Sequence, residues 1–246
     1  MKTSIQRRLI QLNQAFYVQF AASFSRSRTV LHAGIMESLD RVSPFGSVLD
    51  LGCGDARVGR YLREAKLSPE PIVYVGVDNC PDLLSVAPPE PGGSLKAPVR
   101  LHEADLGVAG WSQCLGNNAG FDVVVSFSAL HHIPGQDLRL QLLEEIRSLL
   151  NPGGVFICSV WQVFGSPRLQ RKIQPWSEAG LQSEDVDDFD LLMDWQRDGR
   201  GLRYVHHFSE EELCGLLQAA SFEVVETFYS DGQSGKMGLY AISRHK

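Results

Sequence analysis

The stretch that decides the fold is Val48-Leu49-Asp50-Leu51-Gly52-Cys53-Gly54. It begins as a short apolar run, which is typical of a buried strand, and it ends in two glycines. A helical pattern follows from Arg57, with Val58, Leu62 and Ala65 on one face. A strand, a glycine turn and a helix in this order begin a βαβ unit. Because open α/β sheets bind ligands at the carboxyl ends of their strands, we expect a ligand beside these glycines.

The rest of the chain continues the alternation of strands and helices. Strand patterns occupy 72–77, 99–102, 121–127, 155–161, 222–229 and 239–243, and helical patterns occupy 138–150 and the segment that opens with the capping box at Ser209. We therefore predict a single α/β domain over 1–246 with a doubly wound, mostly parallel sheet. Residues 1–44 are expected to be helical. Residues 162–203 are charged and weakly periodic, and we interpret them as an insertion or lid before the last helix.

Composition limits the function classes. A net charge of −6 gives no global attraction to nucleic acid, although basic residues cluster before Glu37 and again between Arg168 and Arg203. No run is long and apolar enough to span a bilayer, so no membrane role is expected. The five cysteines are scattered and form no C-x-x-C pair, which argues against a metal site and for a reducing compartment. We expect a cytoplasmic protein, and a nuclear location stays open.

The glycine motif favours a cationic ligand. A dinucleotide site would need a third glycine where Arg57 stands, and Asp50 would repel a phosphate. S-adenosylmethionine carries a sulfonium and an ammonium, so Asp50 could help to hold the ammonium while Gly52, Cys53 and Gly54 admit the amino-acid tail. A glycine turn without any ligand is the alternative.

Three further motifs follow later strands. Asp78, with Asn79, ends the second strand and could accept both ribose hydroxyls. Ala104-Asp105-Leu106 could accept the adenine amino group and pack on the ring. Ser126 opens the stretch Ser126–Pro134, in which His131 and His132 could orient an acceptor or take its proton. Each motif alone also fits a structural role, such as a strand-end cap or a loop hydrogen bond.

In this order, the four motifs resemble the class I S-adenosylmethionine-dependent methyltransferases over about residues 47–161. The resemblance implies a Rossmann-like sheet of seven strands whose last strand is antiparallel, with S-adenosylmethionine as cofactor. The cofactor-binding residues that we expect are Tyr17, Asp50, Gly52, Cys53, Gly54, Arg57, Asp78, Asn79, Ala104, Asp105, Leu106 and Ser126.

Two flanking segments narrow the resemblance. Residues 17–28 and the segment Arg203–Ser209 are similar to segments of the tRNA wobble-uridine carboxyl methyltransferases, which esterify a carboxymethyl group on uridine. The resemblance implies tRNA as acceptor and suggests a small zinc-containing activator subunit as partner. Thr29–His32 and Asp55 depart from the family's usual residues, which leaves the substrate open.

A carboxylate acceptor is already ionised at neutral pH and needs no general base. It needs groups that position it, and the candidates are Arg28, Arg203, Tyr204, His206 and His131. Arg28 and Arg203 could instead pair with surface acids such as Glu37 or Asp198. A small-molecule methyltransferase with an apolar acceptor pocket under 162–203 is the second hypothesis, and a non-enzymatic binding protein is the third.

Overall fold

The computed structural model describes residues 1–27, 30–86, 92–116 and 120–245. The helices of this part of the chain are α1 (Thr3–Arg26), α2 (Ala33–Val42), α3 (Arg57–Glu64), α4 (Pro81–Ser85), α5 (Gln136–Leu149), α6 (Pro167–Gln170) and α7 (Glu210–Ala219). Its strands are β1 (Ser47–Leu51), β2 (Ile72–Asp78), β3 (Leu95–Glu103), β4 (Phe121–Phe127), β5 (Leu150–Trp161), β6 (Ile173–Gln174), β7 (Asp190–Trp195), β8 (Gly201–His206), β9 (Phe222–Ser230) and β10 (Gly238–His245).

Seven strands form the central sheet, in the order β3-β2-β1-β4-β5-β10-β9. The pairs from β3 to β5 are parallel, whereas β10 runs antiparallel to both β5 and β9. The predicted seven-stranded, mostly parallel sheet with an antiparallel last strand is therefore confirmed. Strand order reverses between β1 and β4, so the carboxyl ends of these two strands border the crevice where such sheets bind ligands.

Apolar strands and two layers of helix explain why this sheet forms. Leu49 and Leu51 of β1 lie in a core with α5 and α7 on one face, and Val48 lies in a second core with α2 and α3 on the other. All three side chains have no exposed surface. A strand that is buried on both faces has a continuous apolar run as its sequence, which is why β1 and β4 could be predicted.

The insertion forms a small antiparallel sheet, β6-β7-β8, with its own core around Val163, Met193 and Val205. Helix α1 packs along β8. The sequence predicted the insertion but none of its strands before 203. These strands have two to six residues and β7 is buried throughout, so they show no alternation of apolar and polar positions.

Two boundaries differ from the sequence predictions. Strand β3 begins at Leu95, inside the proline-rich stretch 86–98 that was predicted to be a loop, because Leu95 pairs with Ile72. The part of that stretch at 87–91 lies outside the described residues. Strand β5 begins at Leu150 and so includes the Asn-Pro-Gly-Gly turn. Among the helices that the structure describes, none is long and apolar enough to cross a membrane.

Candidate active site

A cavity opens at the carboxyl ends of β1, β2 and β4, and helix α1 covers one side of it. The space between its walls and across its open mouth is about 830 Å³. Its wall consists of Ile10, Asn13, Tyr17, Phe24, Gly52, Cys53, Gly54, Asp55, Arg57, Asp78, Asn79, Leu83, Ala104, Asp105, Leu106, Phe127, Ser128, Ala129, His132 and Ile133. Ten of the twelve predicted cofactor residues lie in this wall, and Asp50 and Ser126 do not.

The glycine turn brings backbone close to the cavity. Gly52 has φ +72°, and a Cβ atom there would lie 2.5 Å from the Cβ of Ala129. Gly54 has φ +55°, where a Cβ would meet only Leu83 at 3.8 Å. The Gly52 and Cys53 amides donate to the carbonyl of Val77 at 2.8 and 3.1 Å, which ties the turn to β2. Gly52 is thus required for both its backbone conformation and its lack of a side chain.

The Asp78 carboxylate is held at the end of β2 by backbone amides. Its Oδ2 accepts from Gly54 N at 2.8 Å and its Oδ1 accepts from Cys80 N at 2.9 Å. Burial raises the pKa of Asp78 to about 6, although these amide hydrogen bonds oppose the shift. Each carboxylate oxygen can still accept another hydrogen bond, so the arrangement can receive a pair of ligand hydroxyls.

Asp50 lies deeper than the sequence suggested. It is 2% exposed and accepts a hydrogen bond from the Tyr74 hydroxyl at 2.7 Å. Burial raises its pKa to about 7 against the effect of that hydrogen bond. It lines a smaller pocket that shares Gly52, Cys53 and Arg57 with the main cavity.

Arg57 carries the opposite charge beside this smaller pocket. Its Nε is 3.2 Å from Asp55 Oδ1, while its buried Nη1 has no hydrogen-bond partner within the described ranges. An acid and a base on one pocket can hold the ammonium and the carboxylate of an amino-acid tail respectively.

Beyond the ends of β2 and β3, the cavity wall is formed by Asn79, Ala104, Asp105 and Leu106. Asp105 Oδ1 accepts from the Gly107 amide at 2.8 Å, which fixes the side chain after β3. Ser126, by contrast, is buried within β4 and does not reach the cavity wall.

His132, rather than His131, reaches the cavity. His131 has no exposed surface and packs against Trp161 with ring centroids 4.9 Å apart. The Nδ1 of His132 lies 2.8 Å from the carbonyl of Tyr204, which can only accept, so Nδ1 carries the proton. In the neutral ring Nε2 then accepts from the Tyr17 hydroxyl at 2.8 Å.

Tyr204 and His206 lie in a buried polar network between the insertion and helices α5 and α7. The Tyr204 hydroxyl donates to Asp190 and accepts from Arg139, both at 2.8 Å. His206 bridges Asp190 and Glu212 at 2.7 and 2.8 Å. Neither predicted side chain lines the cavity, but the Tyr204 backbone bonds His132 there.

Arg203 is 3% exposed and is surrounded by aromatic rings. Its guanidinium carbon lies 4.5, 5.0 and 5.5 Å from the ring centroids of Trp161, Phe16 and Trp195. Burial lowers the pKa of this guanidinium, and the neighbouring Tyr17 partly offsets the effect.

The surface ion pairs considered from sequence are made by other residues. Asp198 pairs with Arg26 and Glu37 pairs with Arg41. In the part of the chain that is described, Arg203 forms no ion pair within 4 Å, and Arg28 lies outside that part.

Sequence reasoning missed Asn13, which connects α1 both to the loop after β4 and to β8. Its amide nitrogen donates to the carbonyls of His132 and Tyr204 at 3.3 and 3.2 Å, and its oxygen accepts from Tyr204 N at 2.7 Å. A polar residue between Leu9 and Phe16 on the apolar face of α1 was the available signal. The described residues contain no group of three or more His, Cys, Asp or Glu side chains placed for a metal.

Two curated relatives and one solved structure illustrate the resemblance. A protein of Encephalitozoon cuniculi that is named as a methyltransferase is 29% identical over 86% of this chain and 87% of its own length. The tRNA (carboxymethyluridine(34)-5-O)-methyltransferase ALKBH8 of Macaca fascicularis is 28% identical over 59% of this chain, which spans about a fifth (19%) of that protein. A complex of the Haloferax volcanii Trm112 methyltransferase activator with its partner contains a chain that aligns with TM-score 0.62 and 18% identity over 94% of this chain and 96% of that one.

Other solved methyltransferases share this fold, and S-adenosylmethionine or S-adenosylhomocysteine is bound in two of them. Residues 23–227 match the family described as "Methyltransferase domain", which is most of the chain. Together with the seven-stranded sheet and its cavity, this match shows that the chain belongs to that methyltransferase family.

Proposed function

We propose that this methyltransferase binds S-adenosylmethionine in the cavity and transfers its methyl group to the carboxymethyl group of a tRNA wobble uridine. The observation that carries the cofactor assignment is the placement of Asp78, Asp105 and the glycine turn around one cavity. Asp78 would accept the ribose hydroxyls, and Asp105 the adenine amino group. Asp50 and Arg57 would hold the two charges of the methionine tail.

Methyl transfer is an in-line displacement at the sulfonium methyl, so the protein's main contribution is alignment and exclusion of water. The cavity side of α1 provides that alignment through Tyr17, whose hydroxyl is fixed on His132. If the acceptor is a carboxylate, no proton has to be removed. His132 then positions groups rather than acting as a base.

Arg203 supports a carboxylate acceptor. It is a buried cation beside Tyr17, and its Nε and Nη1 have no hydrogen-bond partner within the described ranges. A carboxylate would satisfy both nitrogens in a bidentate contact. Tyr204 and His206 would support the bound carboxylate indirectly, through their buried hydrogen-bond network. From the resemblance alone, Arg28 and His131 are also proposed as acceptor residues.

The insertion contributes no residue to the described cavity wall. A small-molecule enzyme was expected to close an apolar pocket beneath 162–203, so this wall favours a larger acceptor that approaches from outside. The second candidate, a methyltransferase of a small metabolite, is favoured by the apolar side chains of Ile10, Phe24 and Ile133 in the wall. By its resemblance, the chain is also proposed to work with a small zinc-containing activator.

Calorimetric titration tests the cofactor assignment. We expect purified protein, with and without a candidate activator, to bind S-adenosylmethionine with micromolar affinity and Asp78→Ala to lose that binding. Glu223→Ala, an exposed change on the edge strand β9, which contributes no residue to the described cavity wall, is the control that should retain it. Equal affinity of wild type and Asp78→Ala would refute the assigned site.

Transfer of a radioactive methyl group tests the acceptor. The substrate is tRNA from cells that lack wobble-uridine esterification. A carboxyl ester is cleaved by mild alkali, so the transferred label should be released as methanol. We expect Arg203→Gln to abolish transfer, and Arg200→Gln, which removes an exposed pair with Glu178, to preserve it. Label that resists alkali, or transfer only to small carboxylates, would refute the tRNA ester.

A further inference from the structure

Three cationic side chains surround Trp195 at the end of β7. The Lys172 ammonium and the guanidinium carbons of Arg197 and Arg203 lie 5.7, 5.8 and 5.5 Å from the centroid of its ring. The ring itself is fixed, because Trp195 Nε1 donates to the Arg197 carbonyl at 2.8 Å. We call these four residues the Trp195 cluster.

The cations of the cluster are not balanced by acids. Among the described residues, none of the three forms an ion pair within 4 Å. Burial lowers the pKa of Lys172, and the charges of Arg203, Arg168 and Arg197 lower it further, while Asp194 opposes them. Asp194 Oδ2 accepts from Gln196 at 2.6 Å instead of meeting a cation.

Two nearby basic residues, unlike those of the cluster, do have acidic partners. Arg26 pairs with Asp198 at 3.1 Å, and Arg200 pairs with Glu178 at 3.2 Å. The insertion therefore has acids available, but they neutralise other cations. Like charges held together without counter-charges create a positive potential that attracts an anion.

Arg203, which is proposed above to bind the acceptor carboxylate, shows that the buried end of the cluster also suits an anion. It is 3% exposed, and its Nε and Nη1 are buried without a hydrogen-bond partner in the ranges that the structure describes. A buried cation with unmade hydrogen bonds is unfavourable unless a ligand compensates it. Lys172 is half-buried and Arg197 is exposed, so the outer side of the cluster is open to such a ligand.

We propose that the Trp195 cluster binds backbone phosphate of the polynucleotide acceptor, with Lys172 and Arg197 as the contacting residues and Arg203 as the buried end of the positive field. This inference rests on the proposed function and names how its acceptor is held. The cluster adjoins the cavity, because Trp195 packs on Phe16 with centroids 5.8 Å apart and Tyr17 follows on α1 in the cavity wall.

Salt dependence of RNA binding tests the phosphate site. Fluorescence anisotropy would measure binding of a labelled anticodon stem-loop RNA by wild type, the double variant Lys172→Gln/Arg197→Gln and the control Lys66→Gln. Lys66 is an exposed cation just beyond α3. Each lost phosphate contact removes about 0.7 from the slope of log affinity against log salt in single strands. Two contacts remove about 1.4, so between about 50 and 200 mM salt the wild type should lose about sevenfold more affinity than the double variant.

The outcomes separate this site from the proposed function. We expect Lys66→Gln to keep the wild-type slope and the double variant to keep its affinity for S-adenosylmethionine, which shows that it is folded. An unchanged slope in the double variant, or no RNA binding by wild type, would overturn the phosphate site. Competition by polyglutamate as strong as by RNA would overturn it in favour of an acidic protein partner. The methyl-transfer assay on wild type reports on the proposed function independently of these results.

Discussion

Removal of the Tyr204 hydroxyl should destabilise the fold without weakening cofactor binding. In Tyr204→Phe, Asp190 loses a donor and Arg139 loses an acceptor, each at 2.8 Å and buried. A hydrogen bond to a charged group contributes about 1.5–3 kcal/mol, so two would give about 3–6 kcal/mol. Arg139 keeps its bond to the Ile133 carbonyl and Asp190 keeps His206, so we expect the lower end, about 3 kcal/mol.

Urea unfolding followed by circular dichroism measures this change. With an m-value of about 3 kcal/mol/M, the midpoint should fall by about 1 M. Tyr229→Phe is the matched control, since its exposed hydroxyl meets Glu210 at 3.2 Å and its loss should change stability by less than about 0.5 kcal/mol. Equal midpoints for the two variants would refute the buried network. Affinity for S-adenosylmethionine should be unchanged, because Asn13 and His132 bond the backbone of residue 204 rather than its side chain.

Three further predictions concern pH and the glycine turn. Burial alone would lower the pKa of His206, but its hydrogen bonds to two carboxylates raise this pKa above its value in the unfolded chain. Protonated His206 therefore stabilises the fold fully below about pH 6.5, and this stabilisation is lost as the pH rises through the pKa of the folded state. Urea midpoints from about pH 6 to 9 should fall more steeply for wild type than for His206→Gln, and parallel curves would contradict this. With a pKa of about 6, Asp78 is protonated as the pH falls, which should lower the affinity for S-adenosylmethionine by calorimetry about tenfold between pH 8 and 5. Asp50, with a pKa of about 7, also loses its charge in this range, so Asp78→Asn should lose that tenfold share and keep the remaining pH dependence; an unchanged profile in Asp78→Asn would contradict the role of Asp78. Gly52→Ala should abolish binding of S-adenosylmethionine, because its Cβ would lie 2.5 Å from the Cβ of Ala129. Gly54→Ala should weaken binding less, because it adds only the strain of a positive φ, about 1 kcal/mol. A larger loss in Gly54→Ala than in Gly52→Ala would contradict the geometry.

The central sheet could be predicted because its strands are fully buried. An apolar run such as Val123–Val125 can be identified from composition alone, and the glycines after β1 mark the edge of the sheet at which the cavity opens. Because parallel strands end at one edge of the sheet, Asp78 and Asp105 were expected at the same cavity, and the structure brings them there.

The acceptor side was less predictable because its contacts join residues far apart in sequence. Sequence reasoning chose His131 over His132, which are adjacent on a 3-10 turn. Both rings contact Trp161, and only the folded structure shows that His131 is the buried one. Of the partners of His206, Asp190 belonged to no motif, and Glu212 was recognised only as part of the capping box at Ser209. Their roles depend on the way in which the insertion folds onto α5 and α7.

Helix α1 joins two parts of the molecule that are separate in the chain. Asn13 and Tyr17 bond to the loop after β4, while the same helix packs along β8 of the insertion. The proposed cofactor end of the cavity lies on the segment from β1 to just after β3, whereas α1, which packs on the insertion, forms the opposite wall. Exchanging residues 1–27 together with 162–208 for those of a relative should therefore change acceptor choice as a unit and keep every residue proposed to hold the cofactor except Tyr17. In evolution, such an exchange is a route by which one methyl donor site could serve many acceptors.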